Sequence, residues 1–329
     1  MVTIKDVARL SEVSISTVSR VINDSKPVSP EVRKRVLKVI EETGYKPNDV
    51  ARSLVTKRSY LIGVIINNLA QSFVADIVRG VEEIGKMYDY DILLCSSYGS
   101  KEAQINYLQL LNRKQAEGIF LVGYNFDEEV IELVKSLKKP YVYFTRKVEQ
   151  DMERVSIDYY SASYEATSYL IKQGNKKIAY VGDYEDRVTV EENKVNGYKK
   201  ALEDGELMSS GIFVVDGRRY IQAYENSEQL LDKIKNIDAI LCTNDEVAIG
   251  VMNYLKDNGI RVPEDVSIMG FGNIMESQFV RPKLATVGEP FYDYGAVGMR
   301  KLIKTINGEK SQSGIIELPF TIEKRESVK

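Results

Sequence analysis

In residues 11–24 the chain reads SEVSISTVSRVIND, where the hydroxyls of Ser14, Ser16, Thr17 and Ser19 crowd beside one guanidinium, Arg20. Short hydroxyl side chains at this density suit hydrogen bonding to a polyanion. Ser14, Thr17 and Ser19 can reach phosphate oxygens without holding a helix away from them. Arg20 carries the planar fork that fits guanine O6 and N7, worth about 1–3 kcal/mol of discrimination between bases. A second set of chemical groups lies in EPFYDYGAVGMRKLIK, residues 289–304. Helical spacing puts Asp293, Val297, Arg300 and Lys304 on one stripe. An arginine and a lysine four residues apart can clamp a doubly charged phosphate, although a solvated charged face is the usual fate of such a stripe.

Catalytic chemistry finds little support. The chain has no histidine, which removes the commonest general base and metal ligand. It has no Walker glycine loop, no G-x-S-x-G elbow and no ligands at metal spacing, and GFGN at residues 270–273 is too short for a dinucleotide fingerprint. Cys95 and Cys242 stand far apart in apolar runs and read as buried, reduced thiols. The expectation is a protein that is not an enzyme and needs neither cofactor nor metal.

At 329 residues and 28% charged, the chain has the length for two or three domains and the polarity of a globular protein. No apolar run is long enough to span a bilayer, so no membrane partner is expected. The start, MVTIKDVARL, lacks the charged-then-apolar order of a secretory signal, so the expected location is the cytoplasm, at the nucleoid. The net charge of −3 is unevenly spread: residues 1–60 carry 12 Lys+Arg against 7 Asp+Glu, net +5, and the remainder 33 against 41, net −8. A basic head on an acidic body points to a head that meets a polyanion, with chance unevenness as the alternative.

The head reads as three short helices. Thr3 with Asp6 forms a capping-box pattern, Ser14 can cap a second helix, and Ser29-Pro30-Glu31 opens a third that stops at Gly44. So small a unit has a thin core. Residues 49–54 make a further helix too short to stand alone in water. From Tyr60 onward, apolar runs such as YLIGVIIN, DILLCSS, GIFLVG and PYVYFT alternate with helical segments at 73–88, 101–115 and 127–137. A second series follows: KIAYVGD, GIFVVDG, AILCTND and VSIMGFG. Two such series predict two doubly wound lobes with parallel sheets, whose ligands bind beyond the carboxyl ends of the strands.

TIKDVARLSEVSISTVSRVIN, followed by NDVARSL and this α/β body, resembles the lactose-repressor (LacI/GalR) family over the whole chain. The resemblance implies a small all-α helix-turn-helix head plus an α/β periplasmic-binding-protein-like core of two doubly wound lobes. It divides the chain into a DNA-binding domain at 1–46, a hinge helix and linker at 47–59, a first lobe at 60–160 with 291–322, and a second at 161–290 with 323–329. It makes the protein a homodimer on palindromic double-stranded operator DNA. Ile15 and Ser16 match base-reading positions beside Arg20, with phosphate contacts at Thr3, Ser14, Thr17 and Ser19. Ile15 can press on a thymine methyl or serve the head's core; its spacing to Val18 and Ile22 keeps both readings open. Leu54 matches a minor-groove wedge, and Ala51 and Arg52 match its neighbours.

Two regulators are open. The family's sugar cleft would involve Phe73, Lys194 and Asp245, but NKVNGY carries Lys194 where the family has arginine, and GFGN carries Gly272 where it has aspartate. Both departures weaken recognition of sugar hydroxyls. Residues 289–304 resemble the carbon-catabolite-control branch instead, whose corepressor is the phosphocarrier HPr phosphorylated on serine. That resemblance assigns the phosphoserine to Arg300 and Lys304, a basic group to Asp293, and a further contact to Tyr88. Asn68 stands where the branch has aspartate, which removes one partner charge. A repressor of a local operon answering to a sugar or phosphosugar is the alternative.

Overall fold

The structure, a computed structural model, describes residues 2–23, 26–45, 58–123, 126–145, 153–182, 189–215, 219–309 and 314–329. It divides into two compact units, Met1–Tyr60 and Leu61–Lys329.

The first unit holds helices α1 (Ile4–Leu10), α2 (Ile15–Asn23) and α3 (Pro30–Thr43). Thr3 and Asp6 form the reciprocal capping box that starts α1. Glu12, at φ 52, makes the left-handed bend between α1 and α2. Gly44, at φ 61, ends α3 in the left-handed conformation. Ser29 precedes α3 without a side-chain cap bond, so the expected hydroxyl cap is absent and the proline in the first turn is the feature that marks the start. Val7, Ala8, Val18, Val21 and Val36 are buried together, while Val32, Val39 and Ile40 are only partly covered. The hinge residues Ala51, Arg52 and Leu54 lie outside the described residues.

The second unit contains two six-stranded sheets with helices between most successive strands. In the first lobe β1 (Leu61–Ile66), α4 (Ser72–Met87), β2 (Asp91–Ser96), α5 (Lys101–Arg113), β3 (Gly118–Val122), α6 (Glu128–Ser136), β4 (Tyr141–Phe144) and β5 (Arg154–Ser156) follow in order. The second lobe holds α7 (Tyr159–Lys172), β6 (Ile178–Gly182), α8 (Thr189–Asp204), β7 (Ile212–Val214), α9 (Tyr220–Glu225), α10 (Glu228–Leu231), β8 (Ala239–Cys242), α11 (Asp245–Asp257), β9 (Ser267–Gly272) and β10 (Ala285–Gly288). The chain then returns through α12 (Phe291–Ile306) and β11 (Ile315–Glu317) and ends with β12 (Thr321–Glu323). Strand order is β11-β5-β4-β3-β1-β2 in one sheet and β12-β10-β9-β8-β6-β7 in the other. Pairing is parallel except for β12 on β10. The fully buried runs GIFLV and IAYVG are what a sheet covered on both faces requires.

The chain changes sheet at 157–158, 289–290 and 318–320. The boundaries expected after residues 160 and 322 therefore fall inside α7 and β12. Hydropathy runs mark where an element lies, not which sheet it joins. Helices α4 and α12 approach closely. A Cβ on Gly80 would overlap the Tyr292 carbonyl, and one on Gly295 would overlap that of Ile77. Gly80 meets Tyr292 and Ala296, and Gly85 meets Met299, so later residues of one helix meet later residues of the other.

Candidate nucleic-acid interface and regulatory surfaces

Helix α2 presents the groups singled out from the sequence. Ser14 heads it: its Oγ accepts from the Thr17 amide at 3.1 Å and lies 2.8 Å from the hydroxyls of both Ser16 and Thr17. Val18 and Val21 turn into the core, whereas Ile15 is 45% exposed. Of its two readings, the structure gives Ile15 the outer face. Ser16 and Arg20 are exposed beside it, and Ser19 and Thr17 are half-buried. Arg20 forms no ion pair among the described residues, so its fork faces solvent. Thr3 is placed differently: its hydroxyl donates to Asp6 at 2.7 Å and receives the Asp6 amide at 3.4 Å. A phosphate there would have to share a hydroxyl already used in the cap. Those bonds from Thr3 hold the Asp6 carboxyl below its ordinary range. Sequence reasoning passed over Ser11, which is fully buried and donates to the Val7 carbonyl, closing the turn before α2.

Helix α12 presents the second surface. Asp293, Arg300 and Lys304 are exposed and Val297 is half-buried, so the stripe runs along the solvent side. Phe291, Tyr294 and Leu302 fill the opposite side. Neither Arg300 nor Lys304 forms an ion pair among the described residues. Tyr88, 44% exposed, caps the C-terminal end of α4. Between these groups lies a cluster that the sequence did not announce. Tyr292 donates to Glu83 at 2.7 Å, and Arg79 stands 5.0 Å above its ring. The hydrogen bond to Glu83 raises the Tyr292 hydroxyl above its ordinary value. Tyr292 sits in the aromatic run FYDYG, where nothing separates a surface tyrosine from a core one. Asn68 caps the turn into α4, its side-chain oxygen accepting from the Ala70 amide at 2.9 Å.

The junction of the two lobes is densely filled. Phe73 stacks 5.3 Å from Phe291, and Phe144 lies 4.9 Å from Tyr294. Ser72, at the start of α4, donates to Glu246 of α11 at 3.1 Å, and Arg219 pairs with Glu246 at 2.9 Å. Asp245 is buried and accepts from the Ile274 amide at 2.9 Å and from the Thr286 hydroxyl. Burial pushes its carboxyl up to about 7. Lys194 is fully buried and donates to the Thr243 carbonyl at 2.8 Å. Phe73, Lys194 and Asp245 thus turn their polar or aromatic groups to neighbours within the protein. The cavity left between Phe73, Asp245, Phe271, Glu289 and Phe291 has a volume of about 20 Å³. That is room for about one water molecule, against the roughly 300–1,000 Å³ of an ordinary small-ligand site. Gly272 has φ 130, a conformation that L side chains rarely adopt, so the glycine in GFGN answers a backbone requirement.

No three His, Cys, Asp or Glu side chains converge as metal ligands would among the described residues, and no described helix is long and apolar enough to cross a membrane. Cys95 and Cys242 are buried, and burial pushes both thiols up, away from the reactive thiolate.

The chain matches two family models: bacterial regulatory proteins of the lacI family over residues 3–48, and periplasmic binding proteins and sugar binding domain of the LacI family over residues 59–324. It is 40% identical to catabolite control protein A of Priestia megaterium over 331 residues, covering 100% of this chain and 99% of that one. Among solved structures, the transcription regulator CcpA of Lactococcus lactis superposes with a TM-score of 0.76 at 31% identity, over 82% of this chain and 99% of that one. The lac repressor dimer bound to operator and the anti-inducer ONPF superposes with a TM-score of 0.85 at 24% identity, over 99% and 98% of the two chains. That likeness is one of fold. With a buried-core helix-turn-helix head ahead of two doubly wound lobes, the chain belongs to the LacI family of bacterial regulatory proteins: it is a DNA-binding transcriptional regulator and not an enzyme.

Proposed function

We propose that the protein acts as a homodimer on palindromic operators of carbon-metabolism genes, with serine-phosphorylated HPr as its corepressor. In this reading α2 enters the major groove. Ile15, Ser16 and Arg20 read base edges, while Ser14, Thr17, Ser19 and, through its shared hydroxyl, Thr3 hold phosphates. Ala51, Arg52 and Leu54 serve the minor groove at the operator centre. Exposed apolar side chains on the second unit, Leu69, Ile221, Met275 and Phe279, are the kind of surface a second copy covers.

One observation carries the choice of corepressor. Arg300 and Lys304 stand exposed one helical turn apart, with no ion pair among the described residues, on the helix that also exposes Asp293. A phosphoserine between them would gain charge-assisted hydrogen bonds without breaking any existing pair. Among the described residues, the cavity between Phe73, Asp245 and Phe291 is about 20 Å³, well below what a sugar needs. The test is a titration of operator affinity with serine-phosphorylated HPr, unphosphorylated HPr, glucose and phosphosugars. Tightening by the phosphorylated protein alone is the expected result. A response to a sugar or phosphosugar only would replace this reading with that of a local sugar-responsive repressor.

A further inference from the structure

Open α/β sheets take ligands beyond the carboxyl ends of their strands. In the second lobe that position holds a cation belonging to the chain itself. Lys194 lies on the inner stripe of α8 with Glu191, Val195 and Tyr198, all buried. Its ammonium donates to the carbonyl of Thr243, the residue after β8. It stands 4.0 Å from the ring centroid of Phe271, near the end of β9, and 5.1 Å from that of Tyr159. A carbonyl oxygen and two ring faces form a recognition set for an ammonium ion. A buried ammonium is costly unless it is so paired. The neighbouring anion is also engaged: Glu191 accepts from the hydroxyls of Tyr180 and Thr243, each at 2.7 Å.

The cage touches the crossovers between the two sheets. Tyr159 is the first residue of α7 after the first change of sheet, and its hydroxyl donates to Glu289, in the second, at 2.8 Å. Glu289 also accepts from Tyr294 of α12 at 3.4 Å. The ammonium therefore rests against the tyrosine that ties two of the crossovers together, and α12 joins the same network.

We propose that Lys194 is a tethered ligand: its ammonium fills an alkylammonium site in the second lobe and holds the crossovers in one arrangement with no added small molecule. The proposal deepens the reading in which no sugar in the cleft sets operator affinity, and it rests on that reading. It assigns to Lys194 the work that an effector would do, and it makes the vacated cage selective for primary ammonium ions over neutral hydroxyl compounds.

The test is chemical rescue of the full-length protein. Lys194→Ala removes a propylammonium equivalent, and Lys194→Met keeps most of the volume without the charge. Both variants are expected to lose several degrees in thermal midpoint and to bind operator more weakly. Millimolar n-propylammonium should restore the midpoint and the operator affinity of Lys194→Ala. The same concentration of 1-propanol, at matched ionic strength, should restore neither, and wild type should not respond to either compound. Should Lys194→Ala not fold alone, folded protein should be recovered on refolding with n-propylammonium but not with 1-propanol. Equal effects of the two compounds, no rescue, or wild-type midpoint and operator affinity in Lys194→Met would each overturn the proposal. The midpoint is read without DNA or protein partner, so a failed HPr titration would leave this outcome distinguishable.

Discussion

Replacing Arg20 by lysine keeps the charge and removes the fork, which separates base reading from phosphate attraction. Arg20 is exposed on α2, ion-paired to nothing among the described residues and flanked by the exposed Ile15 and Ser16. Its loss therefore costs the head no internal interaction, and the effect should be confined to DNA. A bidentate arginine–guanine pair is worth about 1–3 kcal/mol, so a dimer with two heads should lose about 2–6 kcal/mol on its operator, roughly 30-fold to 10⁴-fold in Kd. On scrambled duplex the loss should stay within a few-fold, because the charge that meets the phosphates is retained. Fluorescence anisotropy on both duplexes at one fixed salt concentration measures the two numbers. Equal losses on operator and scrambled DNA would make Arg20 a phosphate contact. No loss on either would remove it from the interface.

Arg300→Ala should leave basal operator affinity unchanged and abolish the tightening produced by serine-phosphorylated HPr, which the same anisotropy titration reads. Val18 is fully buried in the head, so Val18→Ala should cost about 2–3 kcal/mol in lost methyl burial and cavity. In a unit with so thin a core this should appear as head-specific loss of amide protection in hydrogen exchange, with the lobes unaffected. Asp245 titrates higher in the folded protein, at about 7, than in the unfolded chain. The folded state therefore binds the extra proton between the two values, and this group's contribution to stability falls as pH rises from about 4 to about 7. The thermal midpoint of Asp245→Asn relative to wild type should accordingly improve from pH 5 to pH 7.5; a constant difference would refute the assignment.

The head and the strand–helix alternation were legible because their signals are local. A cap, a 3.6-residue period and a glycine stop lie within ten or fifteen residues of one another, and Thr3, Val18 and Gly44 each show one. The stripe of Asp293, Arg300 and Lys304 was legible for the same reason. Contacts that join distant stretches left no such trace. Ser72 and Glu246 meet across 174 residues, and Tyr159 and Glu289 across 130. Lys194 was marked by its family position, but its burial against Thr243, Phe271 and Tyr159 depends on the ends of β8 and β9 closing over it. The departure at Gly272 was visible, but its reason is a backbone angle, and the approach of α4 to α12 at Gly80 and Gly295 depends on both helices at once.

The most direct measurement of the central claim is the affinity of the full-length protein for a palindrome selected from random inverted repeats, against a scrambled duplex, across a range of salt concentrations. With serine-phosphorylated HPr present, the palindrome should be favoured by about 10³-fold or more at physiological salt, and both affinities should fall steeply as salt rises. Identical affinities for the two duplexes at every salt concentration, with HPr and sugars each supplied, would contradict it.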